Sequence, residues 1–394
     1  MGKDKPQHSS KSEYLRGKRI LPEPISATTD IVHLIDSMDA YNGGRLRAAC
    51  HLLRDKYSRE DVTVGMSLAG ALTPAGLGPS AIIPLMNHGF VDWLTATGAN
   101  MYHDLHFAFD LPMHRGSHTV NDADLREKGV TRIYDILFNY EDVLMETDRR
   151  LRQILVRPEF QKEMGTREFY YHLGKILNEH EQKNGLGQVS VLAAAYRNGI
   201  PVFTSSPGDS TIGMNVAGLE LLAEAAGLQD RFKLKIDPSI DVNDSTAIIL
   251  NAKKYENGKT AVILIGGGSP KNFMLQTEPQ IQEVLMIPEA GQDYDINVTD
   301  ARPDTGGLSG APPSEAVSWG KIDPVRLEET VTAYLDVTAA LPMMVAYCLQ
   351  TTKPKELKRL YDRGHELHEK LITSYLENNK EIEALKKLMK KLSA

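Results

Sequence analysis

The sequence predicts an α/β protein: one mainly parallel sheet flanked by helices. Two observations predict it. Strand-length apolar runs alternate with segments of helical apolar spacing, and most strand runs end in a short loop of Gly, Ser, Thr, Asn or Asp. Alternation of this kind belongs to strands joined by helical crossovers, and ligands in such sheets sit at the carboxyl ends of the strands, where these loops fall.

The elements follow in order. "DVTVGMSLAG" (61–70) reads as a buried strand ending in small residues, and "PSAIIPLMNHG" (79–89) as a helix stopped by glycine. "FVDWLTATGAN" (90–100) is a second strand ending in Thr, Gly and Asn. "VSVLAAAYRNG" then "IPVFTSSPGDS" (189–210) gives helix, glycine stop, strand and polar loop; "STAIILNAKKYENG" then "TAVILIGGGSPKNF" (245–273) repeats that order. "YDINVTDARPDTGGLSG" (294–310) and "VTAYLDVTAALPMMVAYCL" (331–349) supply two more strand-to-loop transitions. Residues 1–20 read as a flexible basic arm and residues 21–352 as the main α/β domain. Residues 353–394, rich in Lys and Glu with Leu and Ile at helical spacing, form a helical extension of one or two amphipathic helices.

Composition narrows the classes. With 394 residues, 41 % hydrophobic and 25 % charged, the chain is an ordinary globular protein. A net charge of −7 gives no reason to expect nucleic acid. No apolar run suits a bilayer, and the polar start lacks the apolar centre of a secretory signal, so a cytoplasmic protein is expected. Cys50 and Cys348 are the only cysteines and form no CxxC, which argues against a disulfide framework or structural zinc. His103, Asp104 and His106 alternate in "HDLHFAFDLP", but too few ligands accompany them for a metal; hydrogen bonding is the expected role.

Three strand-end loops could hold a nucleotide: "TATGAN" with Thr97 and Gly98, "SSPGDSTIG" with Asp209, and "IGGGSPKN" with Gly267. Glycines let backbone amides approach a phosphate, and a following helix adds its dipole. Asp209, Asp304 and Asp336 each follow a strand, where a carboxylate can bind ribose hydroxyls or cap a helix. Nucleophilic chemistry points to "SEAVSWGKI" (314–322). If it opens as a helical turn, Glu315 and Trp319 share a face, an acid and an indole set to hold a cation. Gly320 frees the backbone to turn the Lys321 amine into the same pocket. There, desolvation would lower its pKa from about 10.4 and yield an imine-forming nucleophile. A solvated lysine beside a packed indole satisfies the same pattern.

"SGAPPSEAVSWGKI" resembles the catalytic-lysine motif of deoxyhypusine synthases. The resemblance extends, in family order, through "LREKGVTRIYDILFNYEDV", "NGIPVFTSSPGDSTIG", "AVILIGGGSPKNF" and "DYDINVTDARPDTGG", from about residue 22 to about residue 350. It implies a Rossmann-like domain assembled as a homotetramer, with active sites between paired subunits. It also implies the chemistry: NAD takes hydride from spermidine, Lys321 captures the aminobutyl fragment as 1,3-diaminopropane leaves, and an amine acceptor receives it. The retained NADH then reduces the new imine. By position, Glu315 and Trp319 match the polyamine tunnel. Asp209, Gly267 and Asp336 match dinucleotide contacts, with Thr97 and Gly98 on a further cofactor loop and Asp304 on the strand-end crevice.

The chain departs from the family at four places. Asn272 stands where deoxyhypusine synthases carry a proton-accepting histidine, His103 where they carry a glutamate, and Met214 and Leu308 where they carry acids. Protonated polyamine nitrogens need paired carboxylates when buried. Either the substrate carries fewer charges there, or groups such as Asp300, Asp304 or His103 hold it. The pattern resembles that of the deoxyhypusine synthase-like branch. The expected activity is NAD-dependent aminobutyl transfer from a polyamine to a small amine, giving a homospermidine-type product. The alternatives are true deoxyhypusine synthesis on a protein lysine and a non-catalytic NAD- or polyamine-binding homologue.

Overall fold

The computed structural model describes Leu15, Gly17 and residues 19–393, so most of the basic arm lies outside the described residues. Six strands form the central sheet: β1 (Val62–Leu68), β2 (Trp93–Ala96), β3 (Val202–Phe203), β4 (Lys259–Ile265), β5 (Tyr294–Val298) and β6 (Thr330–Ala333). Their order is β6-β5-β4-β1-β2-β3, and every pairing is parallel. The α/β class expected from the alternation is therefore the observed one.

The chain first builds outward from β1 through β2 to β3, then returns to place β4 beside β1 and builds the other way. The register runs from Val62 opposite Lys259 to Leu68 opposite Ile265. The β1–β4 boundary is thus the switch point of the sheet, where crossovers diverge and leave a crevice at the strand ends.

Both faces of the sheet are covered, which is why its strands read as continuous apolar runs. Successive residues of β4 point to opposite sides. Ala261, Ile263 and Ile265 join the larger core with Val62, Val64, Met66 and Leu68 of β1, whereas Val262 and Leu264 join a second core with Trp93 and Phe203. Gly65 breaks the β1 run for a packing reason: a Cβ there would lie 2.6 Å from the Trp93 indole, its partner in register.

The helices that position the site are α1 (Gly98–Ala108), α2 (Val191–Asn198), α3 (Thr211–Ala225), α4 (Pro238–Leu250), α5 (Gly268–Leu275), α6 (Pro313–Ser318) and α7 (Val337–Thr351). The glycine stop after "AAAYRN" works as its sequence implies, Gly199 closing α2 at φ +65°. In the 353–394 segment, α8 (Gly364–Asn378) buries Leu367 and Leu371 in the second core beside Ile248 and Leu250 of α4. Lys355 is buried and donates to the carbonyls of Tyr57 (3.0 Å) and Val62 (3.1 Å), tying this segment to the start of β1. A small antiparallel sheet (His114–Arg115, Val130–Ile133, Ile136–Asn139) stands apart from the main one and was not anticipated from the sequence.

Candidate active site

The site begins where β4 ends. Gly266 (φ +78°) and Gly268 (φ +60°) adopt the left-handed backbone that permits the tight turn into α5. A Cβ on Gly267 would meet Ser309 at 2.4 Å, and the Gly268 amide donates to Ser309 Oγ at 2.9 Å. The glycine loop is therefore clasped against the segment leading into α6, across about forty residues of chain.

α6 supplies the rest. Pro312 and Pro313 set its start, and it ends in a Schellman motif. The Gly320 amide donates to Val317 O (3.0 Å) and the Lys321 amide to Ala316 O (3.0 Å), with Gly320 at φ +65°. Lys321 O then accepts from the Gln292 amide (3.0 Å), and Gln282 Nε2 donates to Gly320 O (2.7 Å). Reversal at Gly320 aims Lys321 back along the face that carries Glu315 and Trp319. The Lys321 ammonium donates to Asn272 Oδ1 of α5 at 3.1 Å and lies 5.9 Å from the Trp319 ring centroid.

These groups line one cavity of about 400 Å³, with Lys271, Asn272, Leu308, Glu315, Trp319 and Lys321 on its walls. Its electrostatics oppose charge on the amine. Burial pushes the Lys321 pKa below the usual lysine value, with Glu283 and Glu315 pulling the other way. Lys271, 3 % exposed and donating to Ala311 O (2.9 Å), is also held low, first by burial and then by the nearby Lys321 cation. Beneath it on β5, burial pushes the Asp295 carboxyl up to about 7, against the pull of Lys271. Two lysines sharing a partly desolvated space is an arrangement that disfavours one of the two protons. Lys271 was missed in the sequence reading, although it directly precedes Asn272.

The other predicted positions fall as follows. Thr97 caps α1, accepting from the Asn100 amide (3.1 Å) and donating to Gly70 O (2.6 Å). Gly98 is packed on Ser210, the cap of α3; Asp209 is exposed beside it. Ser269 Oγ donates to Ser205 Oγ (2.6 Å), joining the loops after β3 and β4. Thr97, Gly98, Asp209 and Gly267 thus gather around the strand ends. Asp336 uses its carboxylate to cap α7, accepting from Thr338 N (2.9 Å) and Ala339 N (3.3 Å). Asp304 is exposed and paired with Arg302 through Nε (3.0 Å). Asp304 and Asp336 do not line the lysine cavity.

His103 does not line it either. Its Nδ1 faces His106 Nε2 at 3.0 Å, and His106 Nδ1 faces Thr147 Oγ1 at 2.9 Å. Burial lowers His103 to about 4 and His106 to about 3, so both are neutral at physiological pH. Asp104 between them caps α2, accepting from Ser190 Oγ (2.7 Å) and from the Val191 (2.7 Å) and Leu192 (3.1 Å) amides. No metal-ligating cluster occurs among the described residues, and no helix there is long and apolar enough to cross a membrane.

A parallel α/β sheet with a glycine-lined crevice at its switch point, next to a lysine held below its normal pKa, defines a Rossmann-like architecture with a candidate amine nucleophile at its strand ends. The deoxyhypusine synthase family profile matches residues 30–348. "Deoxyhypusine synthase-like" proteins of Nostoc sp. and Thermosynechococcus vestitus are 53 % and 52 % identical to the chain over 361 residues. Those alignments cover 91 % of this chain in both cases, and 92 % and 88 % of the relatives. A crystal structure from Entamoeba histolytica that carries the deoxyhypusine synthase name matches with TM-score 0.51 at 14 % identity, over 86 % of this chain and 100 % of that one, a likeness of fold. The chain belongs to the deoxyhypusine synthase family. Members of that family are transferases of the aminobutyl type.

Proposed function

We propose that the protein moves an aminobutyl group from a polyamine such as spermidine, through an imine on Lys321, to a small amine acceptor. The observation that carries this reading is the placement of the Lys321 amine. It is turned inward by the Gly320 reversal, bonded to Asn272 at 3.1 Å, faced by the Trp319 indole and discouraged from charging. A neutral amine in such a pocket is a competent nucleophile toward an imine carbon. Glu315 and Trp319 would hold the cationic donor, carboxylate on one side and π-face on the other.

NAD, when bound, would take up and return the hydride that makes transfer redox-neutral. The residues present fit it. Gly98 and Gly267 leave no room for a Cβ at the floor of the crevice, Thr97 caps a helix there, and Asp209 stands exposed at its rim. Asp304 and Asp336, on neighbouring strand-end loops, would flank it. Trp319 is 61 % exposed in the single chain, which leaves one cavity wall open and favours the homotetramer implied by the resemblance. The protein would act in the cytoplasm.

The test is direct. Protein incubated with NAD and spermidine, then reduced with borohydride, should gain the aminobutyl mass; Lys321→Ala should lose that gain while binding NAD nearly as before. Loss of NAD affinity together with the adduct would make the lysine structural and the reading wrong. Supplying putrescine or a lysine-bearing protein then separates small-amine transfer from deoxyhypusine synthesis. Absence of any adduct with spermidine, homospermidine, putrescine or agmatine would favour a binding protein.

A further inference from the structure

A second cavity, of about 390 Å³, adjoins the first. The two share Asn272, Gln276, Pro279 and Glu283 as a common wall, so Glu283 stands at the junction. It sits on a π-helical turn, Gln280–Val284, that follows Pro279. Such turns put one side chain out of helical register and recur at functional sites.

The second cavity carries one ionisable side chain, Glu283, on otherwise neutral walls. Several of its hydroxyls are committed elsewhere: Ser245 and Thr246 donate to Val242 O (3.2 and 2.7 Å) and Thr277 to Met274 O (2.8 Å). What remains is a neutral trough with an exposed carboxylate on the wall it shares with the first cavity, complementary to methylenes ending in an ammonium. Glu283 has no hydrogen-bond or ion-pair partner among the described residues, although its charge acts on Lys321. The other charged groups facing the shared space are Lys271, Glu315 and Lys321. A carboxylate without a protein partner among the described residues, on the wall between the trough and the Lys321 cavity, is free to pair with a cationic substrate.

We propose that the second cavity is the acceptor subsite, and that Glu283 binds the incoming ammonium and takes its excess proton before transfer. This rests on the lysine-transfer reading above. The steps balance. R–NH₃⁺ gives one proton to the Glu283 carboxylate. The resulting R–NH₂ adds to the imine carbon on Lys321, the carbon–nitrogen bond to Lys321 breaks, and a new imine to the acceptor nitrogen forms. Both hydrogens of R–NH₂ end on the Lys321 nitrogen, so no oxidant is consumed. Glu283 thereby supplies the proton acceptor that Asn272 cannot be.

The two half-reactions separate the outcomes. The protein is loaded with spermidine and NAD, and putrescine is then added while the borohydride-trappable adduct is followed by intact mass. Glu283→Gln removes a charge that favours the protonated lysine, so it should load Lys321 at least as readily as the wild type but discharge to putrescine roughly 100-fold more slowly near neutral pH. Its rate should recover as the pH rises and the acceptor arrives already neutral, a rescue that a packing defect would not show. Val242→Trp, which fills the trough from its outer side and leaves Glu283 in place, should likewise block discharge and spare loading. Wild-type discharge by Glu283→Gln, absence of the alkaline rescue, or impaired loading by either variant would overturn the assignment. Failure of the wild type to load at all would instead remove the transfer reading beneath it.

Discussion

Gly98→Ala tests whether the crevice is closed by direct contact of its loops. A Cβ on Gly98 would lie 2.3 Å from Ser210 Oγ and 2.4 Å from Ser210 Cβ, while the next atom, Ser210 Cα, is 3.8 Å away. Relief demands a shift of about 1 Å between the loop that opens α1 and the cap of α3, and overpacking of this kind costs about 1–3 kcal/mol. The sign is diagnostic, because alanine at the first position of a helix is otherwise favourable over glycine, by up to about 1 kcal/mol. Thermal unfolding should show Gly98→Ala lowered by a few degrees. NAD titration should show weakened binding, since two walls of its proposed site have moved apart. Ser210→Gly removes both offending atoms and costs only a few tenths of a kcal/mol as a cap replacement. The double variant should therefore recover, and exceed Ser210→Gly alone. Wild-type stability in Gly98→Ala, or no recovery in the double variant, would refute the close-packed crevice.

Three further outcomes follow. Lys271→Met removes a cation beside Lys321, so the pH profile of borohydride trapping should move to higher pH; an unmoved or downshifted profile denies the coupling. His103 is held at about 4 against an ordinary 6.5, so its contribution to stability is complete above pH 6.5 and is lost as the pH falls toward 4. His103→Gln should flatten the acid limb of denaturant-measured stability, by up to about 3 kcal/mol over that window; an unchanged slope would show that His103 does not titrate there. Leu308→Asp puts a carboxylate on the cavity wall where deoxyhypusine synthases carry an acid and this chain has none, so half-saturation of loading should require roughly 3- to 10-fold less spermidine. Unchanged loading would mean the pocket holds that end of the polyamine by other groups.

Legibility in the sequence tracked the span of the interaction. Strand and helix alternation is local, and the expected α/β class matched the structure at every main-sheet strand. The cluster of Glu315, Trp319 and Lys321 was legible for the same reason: one helical turn and one glycine reversal bring them together. Asp336 was ambiguous between helix cap and ribose partner because one backbone position serves both; its Oδ1 caps α7. His103 resisted placement because helical spacing says which residues share a face but not what the face meets, and here it meets His106 and Phe138.

The residues themselves determined that this chain folds as a parallel α/β unit and that one short segment pairs an amine with an indole and an acid. Tertiary structure alone decided that Asn272 and Lys271 border that amine, that Glu283 opens it to a second cavity, and that Ser210 and Ser309 press on Gly98 and Gly267. The reason lies in the crossovers. Strands that are neighbours in a parallel sheet are separated by whole helices along the chain. Groups at their ends therefore meet through the register of the sheet, which short-range spacing does not encode.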